Sequence, residues 1–139
     1  MSKNVIADSG YWYALFDARD SYHEEAQILA EDIKVHKLLV PWPTLYEAIN
    51  TRRIRRSEHI MKFKKILEQP TTVLIDDEPY RIASLTYVLE NTKHSFSLVD
   101  HVIRSMIEDT SLSIDAFVGF NPSDFYDVCD KRGIQMLYR

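Results

Sequence analysis

Five short apolar runs alternate with longer segments of helical periodicity, and this alternation limits the fold more than any other property of the chain. The runs are Asn4–Ala7, Leu38–Pro41, Thr71–Ile75, Ala116–Phe120 and Ile134–Leu137, each read as a short strand. After the first, Ser9 and Gly10 open a helix carrying Trp12, Leu15 and Phe16. Ser21 and Glu24 have capping-box spacing for a second helix that runs to about Lys37, with Ala26, Leu29, Ala30 and Ile33 on one face. Pro43-Thr44 starts a helix containing Glu47, Ile49 and Ile54. His59–Glu68 places Ile60, Phe63 and Leu67 at helical spacing, and Pro70 ends it. Pro79–Leu89 is predicted helical with Ile82, Leu85 and Leu89 as its inner stripe. Ser97–Glu108 and Ser123–Lys131 complete the helices, and Gly133 breaks the chain before the last strand. Strands alternating with helices build βαβ units. The expected class is therefore α/β: a three-layer sandwich with a short, mostly parallel central sheet flanked by helices.

A length of 139 residues predicts one domain, 1–139, able to build its own core. The single cysteine, Cys129, has no internal disulfide partner and no Cys or His at zinc-finger spacing, which suits a reduced, cytoplasmic setting. No apolar stretch is long enough for a bilayer, and the segment Met1–Asp8 turns charged too soon for a signal peptide. A net charge of −4 argues against a protein that coats nucleic acid by bulk electrostatics. The charge is uneven, however. Arg52, Arg53, Arg55, Arg56, Lys62, Lys64 and Lys65 stand together with Glu58 as the one acid among them, leaving 10 basic and 20 acidic residues elsewhere. This segment is either a solvated helix face or a contact for RNA phosphates or an acidic protein partner.

Four acids sit where an apolar run gives way to a turn or helix start: Asp8, Glu47, Asp100 and Asp124. In an α/β chain such positions gather at the carboxyl edge of the sheet, where ligands bind. Converging carboxylates need a counter-charge or strongly raised pKa values, and a hard divalent cation with oxygen ligands supplies the former. That pattern implies metal-assisted phosphodiester chemistry. Each acid also has a purely structural reading. Thr44-x-x-Glu47 and Ser97-x-x-Asp100 match capping boxes, Asp8 can cap the helix beginning near Ser9, and Asp124 suits the positive end of its helix.

The local sequences resemble the PIN-domain nucleases, and within them the VapC-type toxins of toxin–antitoxin pairs. Val5-Ile6-Ala7-Asp8-Ser9 is similar to that family's first strand with its terminal Asp and small hydroxyl residue. Asp20-Ser21-Tyr22-His23-Glu24-Glu25-Ala26 is similar to its D-x-x-H-x-x-A signature. Glu47 matches a helix-borne Glu, Ser97-Leu98-Val99-Asp100 a third acid, and Asn121-Pro122-Ser123-Asp124-Phe125 an N-x-x-D-F variant. The resemblance runs from Asn4 to Leu137 and rests on motif order and spacing together. It departs at Asn121, where many members carry Asp, which bears on metal stoichiometry.

The resemblance implies a metal-dependent endoribonuclease in which Asp8, Asp100 and Glu47 hold Mg²⁺ or Mn²⁺, with Asp124 ligating through water or a second ion. The metal would acidify a bound water for in-line attack on an RNA phosphodiester, leaving a 5′-phosphate. Ser9 would lock Asp8, and Asn121 could orient a water. Arg52, Arg53, Arg55 and Arg56 are the expected RNA contacts. An RNA substrate, an antitoxin partner and a homodimer are implied in the same way. His101 and His23 are expected to pack or fix a loop, Trp12, Tyr13 and Phe16 to lie in the core or at a dimer surface, and Cys129 to be buried. One rival reading keeps the fold and makes it an RNA- or protein-binding module with an impaired site. Another, phosphoryl transfer through an aspartyl-phosphate, ranks last, because position 10 is Gly and Asp8 has no paired acid beside it.

Overall fold

The chain enters the sheet at its centre and is laid out to either side of that first strand. A computed structural model describes residues 2–52, 54, 56–93 and 96–137. The elements are β1 (Asn4–Ala7), α1 (Ser9–Phe16), α2 (His23–Ile33), β2 (Lys37–Pro41), α3 (Trp42–Asn50), α4 (Ser57–Leu67), β3 (Thr72–Ile75), α5 (Arg81–Glu90), α6 (Leu98–Glu108), β4 (Ala116–Val118), α7 (Tyr126–Lys131) and β5 (Gln135–Leu137). Two 3-10 turns, Glu78–Tyr80 and Pro122–Asp124, precede α5 and α7. The strand order is β3-β2-β1-β4-β5 and every pairing is parallel. Val5 lies between Leu38 and Ala116, and Ile6 between Leu39 and Phe117.

Parallel strands buried on both faces read as continuous apolar runs, and the pleat divides them between two cores. Val5, Ala7, Leu38, Val40, Ala116 and Val118 face one side, where Trp12, Leu29, Leu45 and Phe63 from α1 to α4 cover them. Ile6, Leu39 and Phe117 face the other, under Val102, Ile103, Met106 and Ile107 of α6 and Val128 and Cys129 of α7. This is the expected three-layer α/β sandwich. Among the described residues, no helix is long and apolar enough to cross a membrane.

Several local expectations change. Tyr22, with no capping side chain, precedes α2, because Asp20 Oδ1 accepts the Tyr22 amide (2.9 Å) before the Ser21–Glu24 box can form. The helix stops at Ile33, freeing Lys37 to pair with Asn4. Thr44 donates its hydroxyl back to the Pro41 carbonyl (2.8 Å), so α3 is closed without help from Glu47. Ile54 is fully buried but lies beyond α3. The segment after β4 divides into the second 3-10 turn and a short α7.

The largest departure is in α5. Its expected inner stripe faces outward, with Ile82 76%, Leu85 42% and Leu89 66% exposed, whereas Ser84 is buried. Ser84 Oγ lies 2.9 Å from His101 Nδ1, and Tyr87 stacks on the His101 ring at 4.3 Å. Polar and aromatic contacts thus seat α5 on α6 and leave its aliphatic face uncovered.

Candidate active site

A sheet of order β3-β2-β1-β4-β5 reverses direction between β1 and β4, and the crevice at the carboxyl ends of those two strands is where such folds bind ligands. Asp8 is the first residue past β1. Its extended backbone (φ −89°, ψ 161°) ends the strand and its Oδ1 accepts the Ser9 amide at 2.8 Å, opening α1 at once. The Asp8 amide donates to the Val118 carbonyl at 3.1 Å, tying it to the end of β4. Gly119 permits this approach. A Cβ there would stand 3.2 Å from the Asp8 Cβ and 2.9 Å from the Phe117 ring.

Asp8 is buried, and its carboxyl is pushed up to about 7 by that burial, then by the charges of Asp100 and Glu47, against the opposing Ser9 hydrogen bonds. Glu47 projects from the second turn of α3. Burial raises its pKa, as does Asp100, while the Ser9 hydroxyl favours its charged form. Ser9 therefore serves two carboxylates: its hydroxyl is also 3.4 Å from Asp8 Oδ1. Asp100 comes from the first turn of α6, on the far side of the sheet. Burial raises it and Asp124 adds repulsion, while Ser97 and Arg104 stabilise its charge. The Ser97 hydroxyl accepts the Asp100 amide at 3.0 Å, so Ser97 caps α6 while Asp100 faces the other acids. At this position the capping reading holds.

Asp124 is peripheral. Its carboxylate accepts the Asn121 side-chain amide, and Ser123 Oγ donates to Asn121 Oδ1 at 3.0 Å. Asn121 thus braces Asp124 directly. Arg104, four residues after Asp100, donates to the Asp124 carbonyl (2.7 Å) and makes a two-pronged pair with Asp127 (2.7 and 2.8 Å). The Phe96 ring lies 4.2 Å from the Arg104 guanidinium carbon. The sequence reading missed Arg104; its signal was an arginine one helical turn beyond an acid, a spacing shared by many surface pairs.

The four acids come from four separate elements, and mutual repulsion links Asp8, Glu47 and Asp100 as a group, with Asp124 joined through Asp100. Among the described residues, no three His, Cys, Asp or Glu side chains are drawn into a closed ligand set. The donors nonetheless suit a hard cation. They are all oxygen, and burial and like charge dominate the proton affinity of Asp8 and Glu47.

The remaining sequence-derived residues are less central. Arg52 and Arg56 are exposed after α3, and Arg53 and Arg55 lie outside the described residues. Trp12, Phe16 and Cys129 are core residues, and Tyr13 packs at the core's edge. His23 Nδ1 meets the Ala14 carbonyl at 2.8 Å, fixing the start of α2 to α1.

No family model and no curated protein sequence matches this chain. Among solved structures it is similar to VapC20 of Mycobacterium tuberculosis, a toxin that cleaves the sarcin–ricin loop. The TM-score is 0.72 at 14% identity, over 97% of this chain and 99% of that one. The chain thus shares its overall fold with that protein.

Proposed function

We propose that this protein is an endoribonuclease using Mg²⁺ or Mn²⁺, acting as the toxin of a toxin–antitoxin pair. The observation that carries this reading is the meeting of Asp8, Glu47 and Asp100 at the sheet's switch point, with raised proton affinities, on a fold shared with an RNA-cleaving toxin. Asp8, Asp100 and Glu47 would hold the ion, and Asp124 would contribute through water or a second ion. When bound, such an ion supplies Lewis acidity toward water and the phosphate. The chain's own groups prepare the site. Ser9 orients Asp8 and favours the charged forms of Asp8 and Glu47, Ser97 holds Asp100 at the mouth of α6, and Asn121 and Arg104 fix the Asp124 turn. With its carboxyl pushed up to about 7, Asp8 keeps a proton through much of the acidic range, and a bound cation would favour its ionised form.

The partners follow from the same reading: an RNA substrate, an antitoxin protein, and a second copy of the chain, in the cytoplasm. The uncovered Ile82, Leu85 and Leu89 of α5 favour the homodimer. A second reading, a PIN-fold RNA- or protein-binding module with an impaired site, is favoured by the neutral Asn121 beside Asp124. Labelled total tRNA incubated with Mn²⁺, with EDTA, and with Asp8→Asn and Asp100→Asn separates the two. Cuts that need the metal and vanish in both folded variants support the nuclease. An intact RNA pool together with no calorimetric Mn²⁺ binding supports the module.

A further inference from the structure

We infer that Tyr22 and Phe120 form a stacking platform for one unpaired nucleobase of an RNA strand lying across the carboxylate cluster. The inference rests on the ribonuclease reading and names how the same site grips its substrate. Phe120 stands two residues past Val118, the residue whose carbonyl takes the Asp8 amide. A Cβ on Gly10 would lie 3.7 Å from Asp8 Oδ2 and 4.0 Å from the Phe120 nitrogen, so carboxylate and Phe120 backbone border the same small space. The Phe120 ring packs partly against the α1–α4 core. Tyr22 covers it with ring centroids 4.8 Å apart and planes only 10° from parallel.

That arrangement leaves Tyr22 42% exposed although one face of its ring is occupied. A flat π-surface stacked on the residue that borders the Asp8 carboxylate suits a base, whose stacking tolerates any sequence. The backbone that carries the ring is also fixed before any ligand arrives. The Tyr22 amide donates to Asp20 Oδ1 at 2.9 Å, its carbonyl accepts the Ala26 amide at 2.9 Å, and the adjacent His23 is tied to Ala14. Little ordering is left to oppose binding. Trp12 and Phe16, the aromatics most prominent in the sequence near Asp8, are buried and offer no such face.

The test uses fluorescein-labelled octa-adenylate RNA and the full chain in EDTA, so that binding is read without cleavage. Tyr22→Ala is expected to weaken binding about 5- to 150-fold, the range of one lost base–aromatic stack. Tyr22→Phe should bind as wild type does. Because no phosphate contact is removed, the dependence of affinity on salt should be the same for all three. Replacing single adenosines by abasic residues should cost the wild type affinity at one position and cost Tyr22→Ala nothing further there. Equal affinity of Tyr22→Ala and wild type, a changed salt slope, or additive losses from Tyr22→Ala and every abasic site would overturn the platform. Melting curves of both variants establish that they fold, and the conservative Phe variant keeps the test decisive if Ala does not. Cleavage of an RNA pool with Mn²⁺, run in parallel, separates the two levels of inference. Cleavage with no Tyr22 effect removes the platform alone, whereas Tyr22-dependent binding without cleavage removes the nuclease reading and leaves a base-binding site.

Discussion

Replacing Asp8 by Asn should make the metal-free protein more stable. The carboxyl moves from 3.8 to about 7 on folding, chiefly through burial. At about 1.4 kcal/mol for each tenfold change in proton affinity, this corresponds to roughly 4 kcal/mol of destabilisation once Asp8 is ionised. The direction follows from proton counts. Below about pH 3.8 both states hold the proton and Asp8 costs nothing. Between 3.8 and 7 the unfolded chain releases it while the native chain keeps it, so stability falls as pH rises. Above about 7 the penalty is complete and level. An asparagine oxygen can still accept the Ser9 amide, and its NH₂ adds a donor beside the acidic group. Urea denaturation in EDTA at pH 4, 6 and 7.5 measures the effect. The Asn variant should match wild type at pH 4 and exceed it by about 2–4 kcal/mol at pH 7.5. Saturating Mn²⁺ should stabilise wild type and leave the variant almost unmoved, closing or reversing the gap. A variant no more stable than wild type at pH 7.5, or a gap independent of pH, would refute the reasoning.

Gly119→Ala brings a methyl group into the Phe117 ring and the Asp8 Cβ, and should lower stability by about 1–3 kcal/mol in chemical denaturation while displacing Asp8 and weakening calorimetric Mn²⁺ binding. Arg104→Met removes the bond to the Asp124 carbonyl and the pair with Asp127. A loss of about 1–2 kcal/mol is expected, kept modest because Asp127 is largely solvated, with a proportionally larger loss of Mn²⁺-dependent RNA cleavage. Asp127→Asn, which spares the carbonyl contact, should lose less cleavage. Ile82→Asp combined with Leu89→Asp should convert a dimer to a monomer in light scattering at unchanged helicity; a wild type already monomeric would remove α5 as a self-association face.

The strands were legible because Val5-Ile6-Ala7, Leu38-Leu39-Val40 and Ala116-Phe117-Val118 are apolar on both faces, as a covered parallel sheet requires. All four acids were legible as residues, but the approach of Asp8, Glu47 and Asp100 to one another depends on the strand order, which no local pattern encodes. Glu47 and Asp100 show the limit of motif spacing. Both match a capping box, yet Thr44 bonds backward to Pro41 and leaves Glu47 free of that role, whereas Ser97 does cap α6. Periodicity identified an apolar face on α5 but could not say whether the chain covers it. There the His101 contacts to Ser84 and Tyr87 prevailed over the aliphatic stripe. Asn121 and Arg104 act through partners such as Asp124 and Asp127, which can be recognised only once the turn before α7 is in place.

Because β1 is the central strand, it waits for a neighbour, β4, that is made long after it. Asp8 precedes by many residues both the Val118 carbonyl that anchors its amide and the Asp100 carboxylate whose charge reaches it. A growing polypeptide can pair β1 with β2, and β2 with β3, early, yet the second core under α6 and α7 is incomplete until β4 arrives. Whatever chemistry the carboxylates perform, a nascent or truncated chain ending before Asp100 carries none of it.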